Sequence, residues 1–425
     1  MKFTDSYTDR LDLVKATDDG VQVVADIVNT VGPRPAGSEQ ELRAQEMLAE
    51  QIRPYADKTQ TESFEVHRQA FMGFIPFTVV MAVASVFVNW FASPMIAFFM
   101  CLLAFVPLIF EFLRYDEFND KLFPKQTSHN TYGVIKPKGE VRQRLIMVSH
   151  SDSQYEWTIN YLIGGLTAKL IVEIPAVIGL VVQTIFALVC WFASEGSTSS
   201  PAMTIESGRW FYVLFFVISL LFIPLELAFI FFQSHTRSVP GASDNLSGCA
   251  VNLETVKALK DAGVELEQTE VVALFSGSEE VGLRGAKAFA KAHKKEFQDV
   301  PTIIVALDTF RDLEDMAVYD RDLSGTLQHD WQVKHLLQDA AKRCGYDIPF
   351  ASVYIGGSDA AAFTREGYKA TTLAAMNPDP PRYYHTRLDS VENMRPECIT
   401  VGIDIMTEVL CAYDKAGLPE LPEKT

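Results

Sequence analysis

Glu279 and Glu280 stand side by side just after an apolar run, in a stretch at 270–285 that reads EVVALFSGSEEVGLRG. Residues 271–275 have the length and composition of a buried strand, and Ser276-Gly277-Ser278 ends it as a turn. Gly282 and Gly285 then lead into a helical pattern at 286–294. Acidic side chains at the carboxyl end of a buried strand sit where open α/β sheets place their chemistry. Neighbouring side chains leave the backbone in different directions, so one carboxylate can bind a metal while the other handles a proton. The plainer reading is an acidic first helical turn, which Asp and Glu favour. The choice between them rests on partners elsewhere in the chain.

Four further stretches offer such partners, each after a strand-like run or in a Gly/Pro-rich loop. They are His150-Ser151-Asp152, Gly241-Ala242-Ser243-Asp244-Asn245, Ala306-Leu307-Asp308-Thr309 and Tyr384-His385-Thr386-Arg387-Leu388-Asp389. A lone histidine after a strand is more often a structural hydrogen-bonder than a ligand. A lone strand-end Asp is usually a turn former or helix cap. Together the stretches supply two histidines and several carboxylates, a nitrogen-and-oxygen set suited to zinc. The six cysteines lack C-x-x-C spacing, which excludes a cysteine zinc site and a disulfide framework and leans towards a reducing compartment.

The elements that must position these residues fall into two kinds. A helix at 18–31 breaks at Gly32-Pro33-Arg34-Pro35-Ala36-Gly37-Ser38, and Ser38 with Glu41 forms a capping box for a helix at 39–52. Strands at 61–68, 131–136, 145–148, 271–275, 302–307 and 370–374 alternate with helices at 247–262, 282–294, 328–344, 359–366 and 396–413. Short strands are expected at 316–319 and 352–355. That alternation predicts an α/β domain with helices on both faces of its sheet. The second kind is apolar. Between Arg68 and Glu111 lie 42 uncharged residues, the length of two bilayer crossings, broken at Ala92-Ser93-Pro94. Residues 174–194 are uncharged, and 210–233 carry only Glu226, with the polar connection 195–209 between them. The sequence therefore predicts four membrane helices in two hairpins. Each hairpin leaves and returns on the same side, so Asp152 and Asp244, 92 positions apart, can still meet. The mouth of the site is expected close to the membrane face. The near-side flanks carry Arg68, Arg114, Lys121, Lys125, Lys169 and Arg237 against Arg209 on the far side, which puts the globular part in the cytoplasm. Segment 1–19 is polar without an apolar core, so no cleavable signal peptide is expected. A net charge of -17 argues against nucleic-acid binding.

The order and wording of the motifs resemble metallopeptidase family twenty-eight, the di-zinc aminopeptidases. The matching stretches are GPRPAGS at 32–38, HSDS at 150–153, GASDNLSG at 241–248, SEEVGLRG at 278–285 and HTRLD at 385–389. Gly357-Ser358-Asp359 matches a further element, although Ala360 stands where the family often has His. The resemblance implies a mixed-sheet zinc exopeptidase domain and two Zn2+ per chain. His150, Asp244 and Asp308 would hold one ion, and Asp244, Glu280 and His385 the other, with Asp244 bridging. Asp152 would orient the His150 ring and Glu279 would be the general base. Tyr383 or Tyr384, beside His385, would donate to the tetrahedral oxyanion; the plainer reading of either is an aromatic loop residue. The expected division is peptidase domain at 1–68, 115–160 and 234–425, with transmembrane hairpins at 69–114 and 161–233. The implied activity is aminopeptidase hydrolysis of a peptide substrate by an integral, multi-pass membrane protein, with homo-oligomerisation open. Glutaminyl cyclase-type acyl transfer, amidase action on N-acyl amino acids and a non-catalytic receptor or scaffold are the alternatives.

Overall fold

The computed structural model describes residues 2–5, 10–194 and 210–420. Helix α1 (Leu13–Thr30) is capped by Asp12, whose side chain accepts from Lys15 N. Helix α2 (Glu39–Ile52) is capped by Ser38, which accepts from Glu41 N at 3.1 Å. Strand β1 (Lys58–Val66) leads to two apolar helices, α3 (Ile75–Phe91) and α4 (Pro94–Pro107), the latter continuing helically to Leu113. Strands β2 (Gln126–Ile135), β3 (Gln143–His150) and β4 (Tyr155–Trp157) follow, then short helices α5 (Thr158–Ile163) and α6 (Gly165–Ala168). Next come the apolar helices α7 (Ile174–Ala193) and α8 (Phe211–Phe229) and strand β5 (Gln233–Ser238). The chain ends as α9 (Gly248–Asp261), β6 (Thr269–Ser276), α10 (Arg284–Ala292), β7 (Thr302–Phe310), β8 (Met316–Asp322), β9 (Leu327–Gln328), α11 (Trp331–Arg343), β10 (Phe350–Ser352), α12 (Asp359–Arg365), β11 (Lys369–Ala375) and α13 (Pro396–Ala416).

Eight strands run in the order β1-β2-β6-β3-β7-β11-β8-β10, with β9 paired to β8. The central four, β6, β3, β7 and β11, are mutually parallel, and antiparallel pairs flank them. Parallel strands are covered on both faces, and side chains alternate between them. Val271, Ala273 and Phe275 of β6 join one core with α1, α9 and α13, whereas Val272 and Leu274 join a second with α10 and α12. Leu145 and Met147 of β3 face the first core, Ile146 and Val148 the second. Because the four strands point the same way, their carboxyl ends open onto one side of the sheet, where His150 lies opposite Ser276. The strand expected at 352–355 instead ends at Ser352, and Tyr354 and Ile355 are exposed beyond it.

The apolar helices meet the second core at their roots, where Ile75 and Val79 of α3 and Val172 before α7 join it. Among the described residues three stretches are long and apolar enough to cross a bilayer: Pro94–Leu113, Gly165–Ala193 and Phe211–Phe229, of 20, 29 and 19 residues. The remaining apolar helix, Ile75–Phe91, has 17, roughly 26 Å at 1.5 Å per residue. It starts later than the sequence suggests because Phe71, Met72 and Phe74 are buried against the globular domain. Burial within the most apolar windows of the three is only 28%, 33% and 17%, so these are not core helices. Phe99, Leu170 and Leu221 are among the large apolar side chains left exposed. Where the helices meet, small residues allow close approach, as Ala82, Cys101 and Ala104 do beside Leu180. Gln183 Nε2 donates to Glu226 Oε1 at 2.7 Å across α7 and α8. The connection 195–209, Arg209 included, lies outside the described residues, as does part of segment 1–19.

Candidate metal centre

His150 is the last residue of β3, and its Nε2 points into a ring of carboxylates. Asp244 Oδ1 is 3.3 Å away, Glu279 Oε2 3.8 Å and Asp308 Oδ1 3.9 Å. His385 Nε2 lies 3.0 Å from Asp244 Oδ2 and 3.2 Å from Glu280 Oε2. The two oxygens of Asp244 thus face different histidines. Ligand atoms of His150, Glu279 and Asp308 lie within 4.8 Å of one another, and so do those of Asp244, Glu280 and His385. Glu279, expected as the base, therefore approaches the first group as closely as a ligand would.

The loops that bring these residues together are held in uncommon backbone conformations. Ser278, Thr309 and His385 have φ of 56°, 45° and 52°, beside or at the site residues Glu279, Asp308 and His385. Such positions persist only where surroundings over-determine them. Asp152 accepts from Glu279 N at 3.0 Å and Glu280 N at 3.2 Å. Its Oδ1 also lies 3.4 Å from His150 Nδ1. The Asp389 carboxylate receives Ser243 N at 2.7 Å and Asp244 N at 3.0 Å. Trp157 meets the His385 ring edge-on with centroids 4.4 Å apart, and Tyr384 stacks on it at 3.8 Å.

Burial sets the electrostatics. It pushes Glu280 and Asp308 up to about 7, with the Asp244 charge adding to the rise. Glu279 is held well above the usual carboxylate range, again by burial. Burial alone would lower His385, but Glu280 and Asp244 bring it up to about 9. Asp244 runs the other way: burial opposes its charge, yet the two histidine rings hold it below the usual range. The carboxyl groups crowd one another around the two rings, and a bound cation would relieve that repulsion.

Residues 228–410 match peptidase family M28. A putative aminopeptidase of Acetivibrio thermocellus is 29% identical over 179 residues, 40% of this chain. The match spans 50% of that relative's own length. Among solved structures, an aminopeptidase from Aneurinibacillus sp. strain AM-1 aligns with a TM-score of 0.54 at 15% identity, over 98% of this chain and 97% of that one. A zinc aminopeptidase from Bacillus subtilis aligns at 0.53 and 14% identity, over 94% and 95%. At such identities the likeness is one of fold.

The residues gathered here fit a metal by their own chemistry. Glu280 Oε1 is buried without a hydrogen-bond partner, as a ligand oxygen would be before a cation arrives. Two imidazole nitrogens with carboxylate oxygens are a zinc-type donor set. His150 presents Nε2 to the carboxylates and Nδ1 to Asp152, the arrangement by which a carboxylate fixes a ligating ring.

The two tyrosines go to different places. Tyr383 donates to Asp312 Oδ2 at 2.7 Å, which already engages its hydroxyl. Tyr384 feels Asp244, Glu280, Asp308 and Glu279, which add to burial in raising its phenol well above the ordinary value. Several supporting residues had no role assigned from sequence. Arg34 is buried and donates to the carbonyls of Ser151, Pro240 and Gly241, tying two site loops together. Asn245 donates to Leu307 O at 2.8 Å and accepts from Thr309 N at 3.1 Å, pinning the end of β7 beside Asp308. Gln154 Nε2 donates to Glu280 Oε2 at 2.9 Å. Arg34, Asn245 and Asp389 all lie inside the quoted motifs, so the motif wording was their only signal. Gln154 had none.

Proposed function

We propose that this protein is a membrane-anchored metallo-exopeptidase of the aminopeptidase type that holds two zinc ions. In this reading His150, Asp244 and Asp308 surround one ion, and Asp244, Glu280 and His385 the other. The observation that carries it is Asp244, whose two oxygens lie 3.3 Å and 3.0 Å from two different histidines. Bound zinc supplies Lewis acidity, polarising the scissile carbonyl and acidifying water. Glu279 takes the proton of the attacking water and passes it to the departing amine. Asp152 orients the His150 ring and, through two backbone N–H groups, the Glu279-Glu280 pair. Tyr384 donates to the oxygen of the tetrahedral intermediate.

The membrane half of the proposal is two hairpins, α3–α4 and α7–α8, with the peptidase domain at 1–68, 115–160 and 234–425. Helix α3 is short for a bilayer of about 30 Å but within the range that local thinning accommodates. The catalytic domain faces the cytoplasm in this reading, by the excess of basic residues on the near-side flanks. Protease added outside intact cells should leave the C-terminal domain whole; its removal would reverse the orientation.

The purified protein should cleave aminoacyl-anilides in a chelator-sensitive way, while N-blocked peptides resist. Glu279→Gln should lose activity by roughly 10²- to 10⁴-fold while keeping its metal. Chelator-insensitive turnover, or an unimpaired Glu279→Gln variant, would sink the reading. One zinc per chain together with cyclisation of N-terminal glutaminyl peptides would move it to a cyclase.

A further inference from the structure

The turn that carries Glu279 and Glu280 has an inner and an outer support. On the inside, Glu41 accepts from Ser278 N at 2.7 Å, and Asp152 accepts from the next two backbone N–H groups. On the outside, the turn leans on the root of the first apolar hairpin. Arg284, at its end, is buried, and its Nε donates to Val281 O at 3.0 Å within the turn. Its Nη2 donates to Glu111 Oε1 at 3.0 Å, and Asp120 accepts from Nη1 and Nη2 at 2.7 and 2.8 Å. Glu111 lies in the last turn of Pro94–Leu113, is itself buried, and its other oxygen accepts from Asn119 N at 2.8 Å. A second contact comes from the chain just before α3. A Cβ on Gly282, whose φ is +105°, would stand 3.2 Å from the Phe71 ring.

The turn needs such support. Ser278, Gly282 and Leu283 all have positive φ, and Leu283 has a side chain that this conformation disfavours. The turn closes on itself through Gly282 N and Leu283 N to Glu279 O, at 2.8 and 2.7 Å, and Arg284 N to Ser278 O at 3.1 Å, so the residue that completes it is the one the hairpin root holds. A bidentate guanidinium pair is rigid and directional, and a buried one tolerates the loss of a partner poorly.

We propose that the hairpin root is part of the catalytic apparatus: Glu111 and Phe71 are positioning residues that hold the 278–284 turn, through Arg284 and Gly282, so that Glu279 faces His150. The proposal rests on the peptidase reading above. It makes the first hairpin more than an anchor, because the helix that ends at Leu113 and the turn that bears the base share one buried ion cluster.

The test uses the full-length protein in nanodiscs, as wild type, Glu111→Gln and Phe71→Leu. Glu65→Gln serves as a control, because Glu65 pairs with Lys125 at the exposed surface nearby. In Glu111→Gln, kcat should fall by about tenfold or more, the scale of a small misplacement of a reacting group. KM should stay within about twofold, since substrate binding is untouched. Hydrogen exchange at the amides of Gly282, Leu283 and Arg284 should speed up by about tenfold, with β6 amides unchanged. Phe71→Leu, which keeps apolar volume, should show the same pattern more weakly and stands in if Glu111→Gln does not fold. Unchanged kcat in the folded variants, whatever the exchange, overturns the proposal. A wild type without chelator-sensitive turnover defeats the peptidase reading instead, and the exchange then decides alone whether the root holds the turn.

Discussion

Adjacent side chains in this protein are given unlike tasks by what surrounds them. Tyr383 and Tyr384 are the clearest pair. The Tyr383 hydroxyl is a buried donor to Asp312, beside the Arg311 guanidinium that lies 4.0 Å over its ring. Tyr383→Phe should cost stability, about 1 kcal/mol for one lost hydrogen bond, and leave kcat alone. Tyr384 stacks on His385 and faces the carboxylates. Tyr384→Phe should lower kcat by roughly 10²-fold with little change in KM, the size of a lost oxyanion donor. Steady-state kinetics with a thermal melt on both variants separates the two roles, and the reverse pattern would exchange them. The sequence places both tyrosines beside His385 but cannot say which hydroxyl is already taken. Asp389 makes the same point: its position in the HTRLD motif was plain, whereas its acceptance of two backbone N–H groups around Asp244 needs a fold to bring residues 243 and 389 together.

Elements show where local pattern suffices and where it is redirected. The capping box at Ser38 is half made. Ser38 accepts from Glu41 N, but the Glu41 carboxylate accepts from Gly37 N, Ser128 Oγ and Ser278 N, so it braces the site as well as its helix. The end of α10 is joined to β1 by charge. His293 Nε2 lies 2.8 Å from Glu62 Oε2, and Nδ1 lies 2.7 Å from Glu296 Oε2. Burial would lower His293, but Glu62 and Glu296 raise it above its usual value; burial likewise opposes the Glu62 charge, and His293 lowers that carboxyl. The raised histidine adds stability in full below about pH 6.5, and loses it as pH rises through its folded value. The lowered glutamate adds stability above about pH 4.5 and loses it as pH falls through its folded value. Wild type should therefore exceed His293→Gln by about 0.5–1 kcal/mol between these limits, the scale of a partly screened pair. Unfolding midpoints from about pH 4 to about pH 9, a range that brackets both limits, check this. A difference that grows steadily to high pH would contradict it. The ribbon of β4 and β5 was not legible at all, since three residues, Tyr155–Trp157, carry too little pattern to announce a strand.

At the scale of the whole molecule, the candidate metal site and the apolar helices are joined rather than adjacent. Trp157 packs on His385 and also on Phe232, which follows α8 by three positions, with ring centroids 4.4 and 4.6 Å apart. Removing metal should then loosen more than the site. Ions present at a hundredfold above Kd contribute about 2.7 kcal/mol per site, so chelation should lower the melting temperature by several degrees, with recovery on adding zinc. A melt insensitive to chelator and zinc would argue against occupied sites. What the sequence determined by itself was the chemistry on offer and the kind of element bearing it: motifs in order, strands by their buried runs, and long uncharged segments whose composition water does not favour. Those features are local, written in neighbouring residues. Tertiary structure alone decided which carboxylate oxygen faces which histidine and which tyrosine hydroxyl is held by Asp312. It also decided that the turn bearing Glu279 and Glu280 rests on a hairpin more than 160 positions earlier in the chain. The physical reason is that hydrogen bonds and buried ion pairs act over about 3 Å in space, and distance along a sequence carries no record of that.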